Sequence, residues 1–200
     1  MKYTSKDKEK YIDYVAQLFK LAVSSRIHFE AITTALERSR FIQELEDGEY
    51  SRIYEQTSYD SFYEIFHLLN MHEDSPFIYN DAYWCGYVYM NIFYEFSKSF
   101  SYIFLYLPLE DLMNKYSVFH EMDISQMYDY FREQTESESI LSKLLKKKKI
   151  SAVSLAKKTD ISENTINYYK RSNENIYKAS FKNVYKIAKA LDVPERLFLE

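Results

Sequence analysis

The sequence predicts an all-α protein in which an N-terminal helical bundle is followed by a second, smaller helical domain. Its 200 residues include only two glycines and three prolines, whereas 46% are hydrophobic and 18% aromatic. This composition disfavours turn-rich β-sandwiches and barrels and supplies apolar side chains for a packed core. Residues 1–138 carry 12 Lys+Arg against 24 Asp+Glu (−12), and residues 139–200 carry 14 against 6 (+8). The opposite signs predict that the C-terminal part meets a polyanion.

Apolar residues recur at helical spacing through the first third of the chain and predict three helices. The first starts at Ser5, a good capping residue, and runs to about residue 22. The second covers 28–45 and stops before Asp47-Gly48, and the third covers 50–69. The predicted inward stripes are Tyr11, Tyr14, Val15, Leu18 and Phe19 in the first helix and Phe29, Ile32, Leu36 and Ile42 in the second.

The helices that follow are shorter, apart from one long aromatic helix. The polar segment 70–76 interrupts the pattern, and Asn80 can then cap a helix that reaches about residue 98. Gly86 lies inside this helix, where the missing side chain permits a close helix crossing. Further helices are predicted at 99–106, at 109–116 and, after a Ser125 cap, at 126–133.

The boundary between the two domains is predicted from a capping box. Thr135 and Glu138 have the spacing at which a threonine and a glutamate satisfy each other's free amides at a helix start. We therefore expect an acidic, aromatic-rich domain over residues 1–134, which dimerises or binds a partner, and a second domain over 135–200.

The N-terminus and the single cysteine indicate the cellular setting. The chain opens with a charged run through Lys10 rather than an export signal, and its most apolar run, 100–109, is about half as long as a membrane-spanning helix. Cys85 is predicted to be a small buried hydrophobe. We expect a cytoplasmic protein without membrane contact.

Groups that could bind a metal or carry out catalysis are sparse. His67 and His72 lie near Glu73 and Asp74, but the five-residue spacing places the two imidazoles on only roughly neighbouring faces of a helix. The sequence contains no nucleophile elbow, glycine-rich phosphate loop or paired-cysteine motif. We therefore predict no metal, no cofactor and no enzymatic activity.

The C-terminal segment has a regular order of short helices. A first helix over 141–149 ends in the four lysines 146–149, Ser151 can cap a helix over 152–159, and Ser162 can cap another over 163–171. Asp160 lies in the tight turn between the last two. A final helix after Ala179 is predicted to turn Phe181, Val184, Ile187, Ala188 and Leu191 inward.

This pattern resembles the helix-turn-helix domains of the lambda repressor, Cro and Xre type over about 60 residues. The resemblance rests on Ile150-Ser151, Leu155-Ala156, the run from Ile161 to Ile166, and the run from Val184 to Val193. It implies that the helix after Ser162 enters the major groove of DNA. Three departures are Asp160 at the usual turn glycine, Ala152 at a frequent glutamine, and Lys170-Arg171-Ser172 where Glu-x-Gly is usual.

The resemblance implies two sets of DNA contacts. Polar side chains of the groove helix can read base edges, because amides pair with adenine and Arg with guanine; we predict this role for Glu163, Asn164, Thr165, Asn167, Tyr168 and Arg171. Cations and residues at helix N-termini suit phosphates; we predict this role for Ser151, Lys157, Lys158, Ser162, Lys170, Ser180, Lys182 and Asn183.

The N-terminal aromatic run allows two readings. The residues from Tyr83 to Tyr89 and from Tyr94 to Phe96 resemble an uncharacterised helical family encoded beside toxin genes in bacterial mobile elements. Packing explains these aromatics more readily than a ligand site does. We therefore favour a bacterial or phage transcriptional repressor that binds a palindromic operator in double-stranded DNA as a homodimer. An autorepressing antitoxin whose N-terminal domain binds a toxin is the alternative, and an enzyme with a DNA-binding tail is the third.

Overall fold

The computed structural model describes residues 5–49, 51–69 and 79–199, and these form fourteen α-helices and one 3-10 helix without a β-strand. The all-α prediction is confirmed. The chain divides into two compact units, Met1–Asp129 (unit 1) and Tyr130–Glu200 (unit 2). Within the described ranges, no helix combines the length and hydropathy needed to cross a membrane.

Unit 1 contains helices of four to twenty residues. They are α1 (Ser5–Ser24), α2 (Phe29–Arg38), α3 (Arg40–Glu46), α4 (Arg52–Glu55), α5 (Ser58–Phe66), α6 (Tyr79–Phe96), α7 (Phe100–Tyr106) and α8 (Leu109–Phe119), and α9 (Ile124–Ser137) spans the division between the units. Unit 2 continues with α10 (Ile140–Lys147), α11 (Ala152–Thr159), α12 (Glu163–Arg171), α13 (Asn173–Tyr177), α14 (Phe181–Leu191) and a 3-10 helix (Glu195–Leu199).

The core of unit 1 is built on the crossing of α1 and α6. A Cβ atom added to Gly86 would lie 2.6 Å from Ala16 Cα and 2.9 Å from Val15 O. The two backbones are therefore in direct contact, as predicted from the glycine. All five residues of the predicted α1 stripe are buried, and Cys85 is fully buried with its Sγ 3.3 Å from Met113 Sδ.

Aromatic rings fill the space around this crossing. The ring centroid of Tyr89 lies 5.1 Å from that of Phe19 and 4.9 Å from that of Phe104. The hydroxyl of Tyr89 donates to Leu107 O at 2.9 Å. The Tyr14 hydroxyl similarly donates to the carbonyl of Thr57 at 2.7 Å and so ties α1 to α5. The rings of these tyrosines bury apolar surface, while their hydroxyl groups still form hydrogen bonds.

Two predicted helices of unit 1 are each broken in two. The helix predicted over 28–45 is interrupted at Ser39, whose extended backbone lets its hydroxyl accept from Ile42 N. The helix predicted over 50–69 is interrupted at Thr57, which forms a capping box with Asp60. Side-chain caps outweigh the continuous apolar pattern at both sites.

Three predicted helix starts, at Asn80, Ser125 and Thr135, are also wrong. Helix α9 continues through the predicted start at Thr135, whose hydroxyl donates back to Arg132 O, and Ser139 is the residue that caps the next helix. Ser125 lies inside α9, and its amide donates to the Asp123 carboxylate. Asn80 lies inside α6. The Ser5 side chain, the segment 70–76 and the carboxylates Glu73 and Asp74 are outside the described residues.

Unit 2 has an aliphatic core and a serine at each helix start. Its buried residues include Leu141, Leu155, Ile166, Ile187 and Leu191. Helices α10, α11, α12, α13 and α14 are capped by the hydroxyls of Ser139, Ser151, Ser162, Ser172 and Ser180. Phe181 is 71% exposed, so its predicted inward position is wrong. As the first residue of α14 it lies at the edge of the apolar stripe, with its ring centroid 6.4 Å from that of Tyr185.

Candidate nucleic-acid interface

The candidate interface is built from α11, a tight turn and α12. Asp160 ends α11 in the left-handed conformation, with φ 54° and ψ 40°, and its amide donates to Ala156 O. Asp is among the few residues other than glycine that adopt this conformation readily. The turn therefore forms without its usual glycine, and Ser162 then starts α12 by accepting from Thr165 N at 3.1 Å.

The inner face of α12 anchors it to the rest of unit 2. Ile166 is fully buried and Tyr169 is 7% exposed. The Tyr169 hydroxyl accepts from Asn183 Nδ2 at 3.0 Å, which places the N-terminal turn of α14 beside α12. Because these contacts hold one face, the opposite face of α12 is presented outward.

The outward face carries most of the predicted base-reading residues. Glu163, Asn164, Tyr168 and Arg171 are exposed, and Asn167 is half-buried. At 100° per residue these five span roughly 140° of the helix circumference, opposite Ile166 and Tyr169. Thr165 is half-buried outside this arc, with its Oγ1 hydrogen-bonded to Ser162 Oγ at 2.7 Å.

The predicted phosphate-binding residues cluster at helix starts and on exposed lysines. Ser151, Ser162 and Ser180 are the N-caps of α11, α12 and α14. Free amides at such starts attract anions. Lys157, Lys158 and Lys182 are exposed, whereas Lys170 and Asn183 are half-buried. The amide of Asn183 is engaged by Tyr169, so a phosphate contact from it requires its second N–H.

The C-terminal end of α12 is held by contacts that the sequence analysis missed. Ser139 Oγ donates to Lys170 O at 2.7 Å, and Ile140 N donates to Asn173 Oδ1 at 2.7 Å. Asn175 Nδ2 donates to Tyr168 O at 2.9 Å. Asn173 and Asn175 belong to the short helix α13, which was not predicted. The one local signal for it was Ser172, which can cap a helix by accepting from Asn175 N, as it does here.

Unit 2 carries more basic than acidic side chains, as expected for a surface that binds phosphates. Exposed lysines lie on α11 and α14, and Lys146 pairs with Glu138 at 2.7 Å. Partial burial disfavours ionisation of Glu138, but hydrogen bonds from Lys146 and Ser142 outweigh it and lower the pKa of this carboxyl. The remaining cations leave the unit with a positive excess, which favours polyanion binding.

Histidines contribute to local contacts in unit 1. His67 Nδ1 is 2.8 Å from Tyr63 O, and His72 is not among the described residues. In the described ranges no three or more His, Cys, Asp or Glu residues come together as a metal site.

Residues 141–198 match the family model described as helix-turn-helix, the Xre, Cro and lambda-repressor type. No curated protein and no solved structure matches the chain. The C-terminal region therefore carries a helix-turn-helix DNA-binding domain of the kind found in Xre-type regulators, which confirms the resemblance noted in the sequence. The match begins after residue 140 and assigns no family to unit 1.

Proposed function

We propose that this protein is a transcriptional repressor that binds a palindromic operator as a homodimer. The observation that carries the proposal is the polar outward face of α12, opposite its buried anchors Ile166 and Tyr169. Amides and a guanidinium on that face are the groups that discriminate base edges in the major groove. Serine-capped helix starts and exposed lysines beside it supply sequence-independent phosphate contacts.

The proposal assigns two different roles to side chains of unit 2: some read bases and others bind phosphates. Asn164→Ala removes a base-reading amide, so we expect it to weaken binding to the specific site by about 1–3 kcal/mol and to relax sequence preference. Lys158→Ala removes a phosphate contact, so it should weaken binding to every DNA sequence by the same factor. The slope of log affinity against log salt concentration should become smaller by about one, because one fewer phosphate is neutralised. We expect Thr165→Ala to behave like the first class, but this change also removes the hydrogen bond between Thr165 Oγ1 and Ser162 Oγ.

The test is fluorescence anisotropy with DNA from upstream of the protein's own gene and with a scrambled duplex of the same composition. Asn114→Ala, the same kind of change at an exposed position on α8 of unit 1, is the matched control and should bind both duplexes like the unaltered protein. Equal affinity of the unaltered protein for both duplexes contradicts operator binding. Loss of affinity without loss of preference in Asn164→Ala contradicts the assigned base reader.

Dimeric binding has a geometric test. Two recognition helices of a dimer lie about 34 Å apart, one turn of DNA. Inserting about half a helical turn between the half-sites places them on opposite faces of the duplex and should abolish tight binding. Unchanged affinity would show that one unit 2 suffices for the site.

An antitoxin is the second candidate, favoured by an exposed aromatic and acidic face on α5. Tyr59 and Tyr63 are each 62% exposed, and Leu68 just beyond the helix is 84% exposed. Asp60 and Glu64 flank the tyrosines. Aromatic side chains with a charged rim are typical of protein interfaces. If this candidate is right, co-expression should relieve growth arrest by the product of a gene in the same operon, and Tyr63→Ser should reduce that relief while DNA binding persists.

A further inference from the structure

Two open cavities on the surface of unit 1 share lining residues. The smaller has a volume of about 270 Å³ and lies between α6 and α8, lined by Asn80, Tyr83, Trp84, Tyr87, Tyr116 and His120. The larger, of about 410 Å³, lies between α1 and α6 and shares Tyr83 and Tyr87 with the first. We call the two together the aromatic groove. Its size suits a small organic molecule rather than a polymer.

The walls of the smaller cavity are aromatic rings fixed by one another. The Trp84 ring meets the Tyr116 ring edge-on, with centroids 5.7 Å apart and planes at 80°. Tyr116 in turn stacks on His120 at 4.3 Å. Trp84, Tyr87 and Tyr116 are only half-buried. Their remaining ring area is therefore presented to solvent inside a cavity instead of being used in the core.

The charges around the aromatic groove favour a cation. Glu9 and Asp13 line the larger cavity, and Asp13 Oδ1 accepts from the hydroxyl of Tyr83, which lines both cavities, at 2.7 Å. The single lysine in the lining, Lys8, has its Nζ 4.8 Å from the centroid of the Tyr94 ring. Residues 1–138 carry a net charge of −12. Aromatic faces and carboxylates both attract cations and disfavour anions.

We propose that the aromatic groove binds a small organic cation of the quaternary ammonium class. Such a cation is weakly hydrated, fits against several ring faces at once and needs no hydrogen-bond partner. The rings of Trp84 and Tyr116 contact its alkylammonium group, and the carboxylates at the Tyr83 end supply long-range attraction. This binding site is separate from the proposed DNA-binding function of unit 2 and does not depend on it.

Trp84 makes the proposal directly testable, because it is the only tryptophan in the chain. The full-length protein is titrated with choline and, separately, with 3,3-dimethylbutan-1-ol, its neutral carbon analogue, while Trp84 emission is followed. Choline should give a saturable change below about 10 mM, and the neutral analogue should bind about ten-fold more weakly. Equal binding of the two compounds, or no saturable change with choline, overturns the proposal.

Variants then locate the site. Tyr116→Leu removes a ring and should weaken choline binding at least about ten-fold, whereas Tyr116→Phe keeps the ring and should retain it. Tyr59→Leu, on the exposed face of α5, is the control and should bind choline like the unaltered protein. Loss of binding in Tyr116→Phe, or an equal loss in Tyr59→Leu, contradicts the assignment. The comparison of choline with its neutral analogue needs no variant, so it stands even if Tyr116→Leu fails to fold.

Discussion

Units 1 and 2 are both helical, but they are stabilised in different ways. Unit 1 buries large aromatic side chains such as Phe19, Tyr89 and Phe104 around a crossing where two backbones touch. Unit 2 buries mainly leucine and isoleucine, and a serine caps each of its α-helices from α10 to α14. Unit 1 also has helices capped by side chains, at Ser39 and Thr57, so the contrast lies mainly in the cores: large rings around a close crossing of two backbones in unit 1, and aliphatic side chains between short capped helices in unit 2.

The largest expected effect tests the helix crossing in unit 1. In Gly86→Ala the new methyl group meets the α1 backbone, which cannot move aside as a flexible side chain would. We expect a loss of about 3 kcal/mol in the free energy of unfolding of unit 1, less any gain in helix propensity. Urea unfolding followed by Trp84 emission measures it. Asn114→Ala, at an exposed position on α8, should leave the midpoint nearly unchanged; equal midpoints for both variants would contradict the crossing.

A helix cap in unit 2 provides the second test. Ser139 is buried, caps α10 and donates to Lys170 O at the end of α12. Ser139→Ala should therefore destabilise unit 2 by about 1–2 kcal/mol. Hydrogen exchange at the amides of α10 and α12 reports the change. Ser154→Ala, inside α11 rather than at a cap, is the comparison and should exchange more slowly than Ser139→Ala. Similar exchange in both variants argues against a special contribution from the cap.

A residue with a left-handed backbone conformation in unit 2 offers a substitution that should increase stability. Lys149 follows α10 with φ 54°, a conformation that favours glycine. Lys149→Gly should relieve this strain and stabilise unit 2 by about 1 kcal/mol. The neighbouring Lys148 has φ −87°, so Lys148→Gly should instead destabilise it slightly. Thermal unfolding followed by circular dichroism compares the midpoint temperatures of the two variants. If both midpoints move in the same direction, backbone strain at Lys149 is contradicted.

The smallest effect concerns the ion pair of Glu138. Its pKa in the folded protein lies below the ordinary value of 4.5, so its contribution to stability is present above about pH 4.5 and is lost as the pH falls through the folded pKa. Glu138→Gln should cost a few tenths of a kcal/mol at neutral pH, because Lys146 is largely exposed. The difference between the two proteins should shrink below pH 4.5 when unfolding is measured across pH. A difference independent of pH would assign the effect to something other than charge.

Short-range patterns predicted much of unit 2. Ser151 and Ser162 cap α11 and α12 as expected, and Asp160 adopts the left-handed turn. Each of these features depends on atoms within about four residues, so the local sequence contains the necessary information. The outward face of α12 follows from the same periodicity once Ile166 is placed inward.

The predicted helix boundaries were wrong where an apolar stripe and a capping residue compete, or where a capping residue also contacts a residue far away in the sequence. The apolar stripe runs through Ser39 and Thr57, but their caps end the helices there. The Thr135 capping box has the right spacing, yet α9 continues through it, and Ser139, whose hydroxyl also donates to the distant Lys170 O, caps the next helix. Phe181 fits a helical stripe but lies at its edge.

The sequence by itself determined the helical class, the opposite charges of the two ends and the polar face of α12. Composition and charge are properties of the sequence itself, and helical periodicity depends on residues only three or four positions apart. These features can therefore be predicted without knowing the tertiary structure. Only the tertiary structure decided that Asn183 bonds to Tyr169 and that rings of α6 and α8 line an open cavity together. These arrangements join residues far apart in sequence, and their geometry is set by how the helices pack.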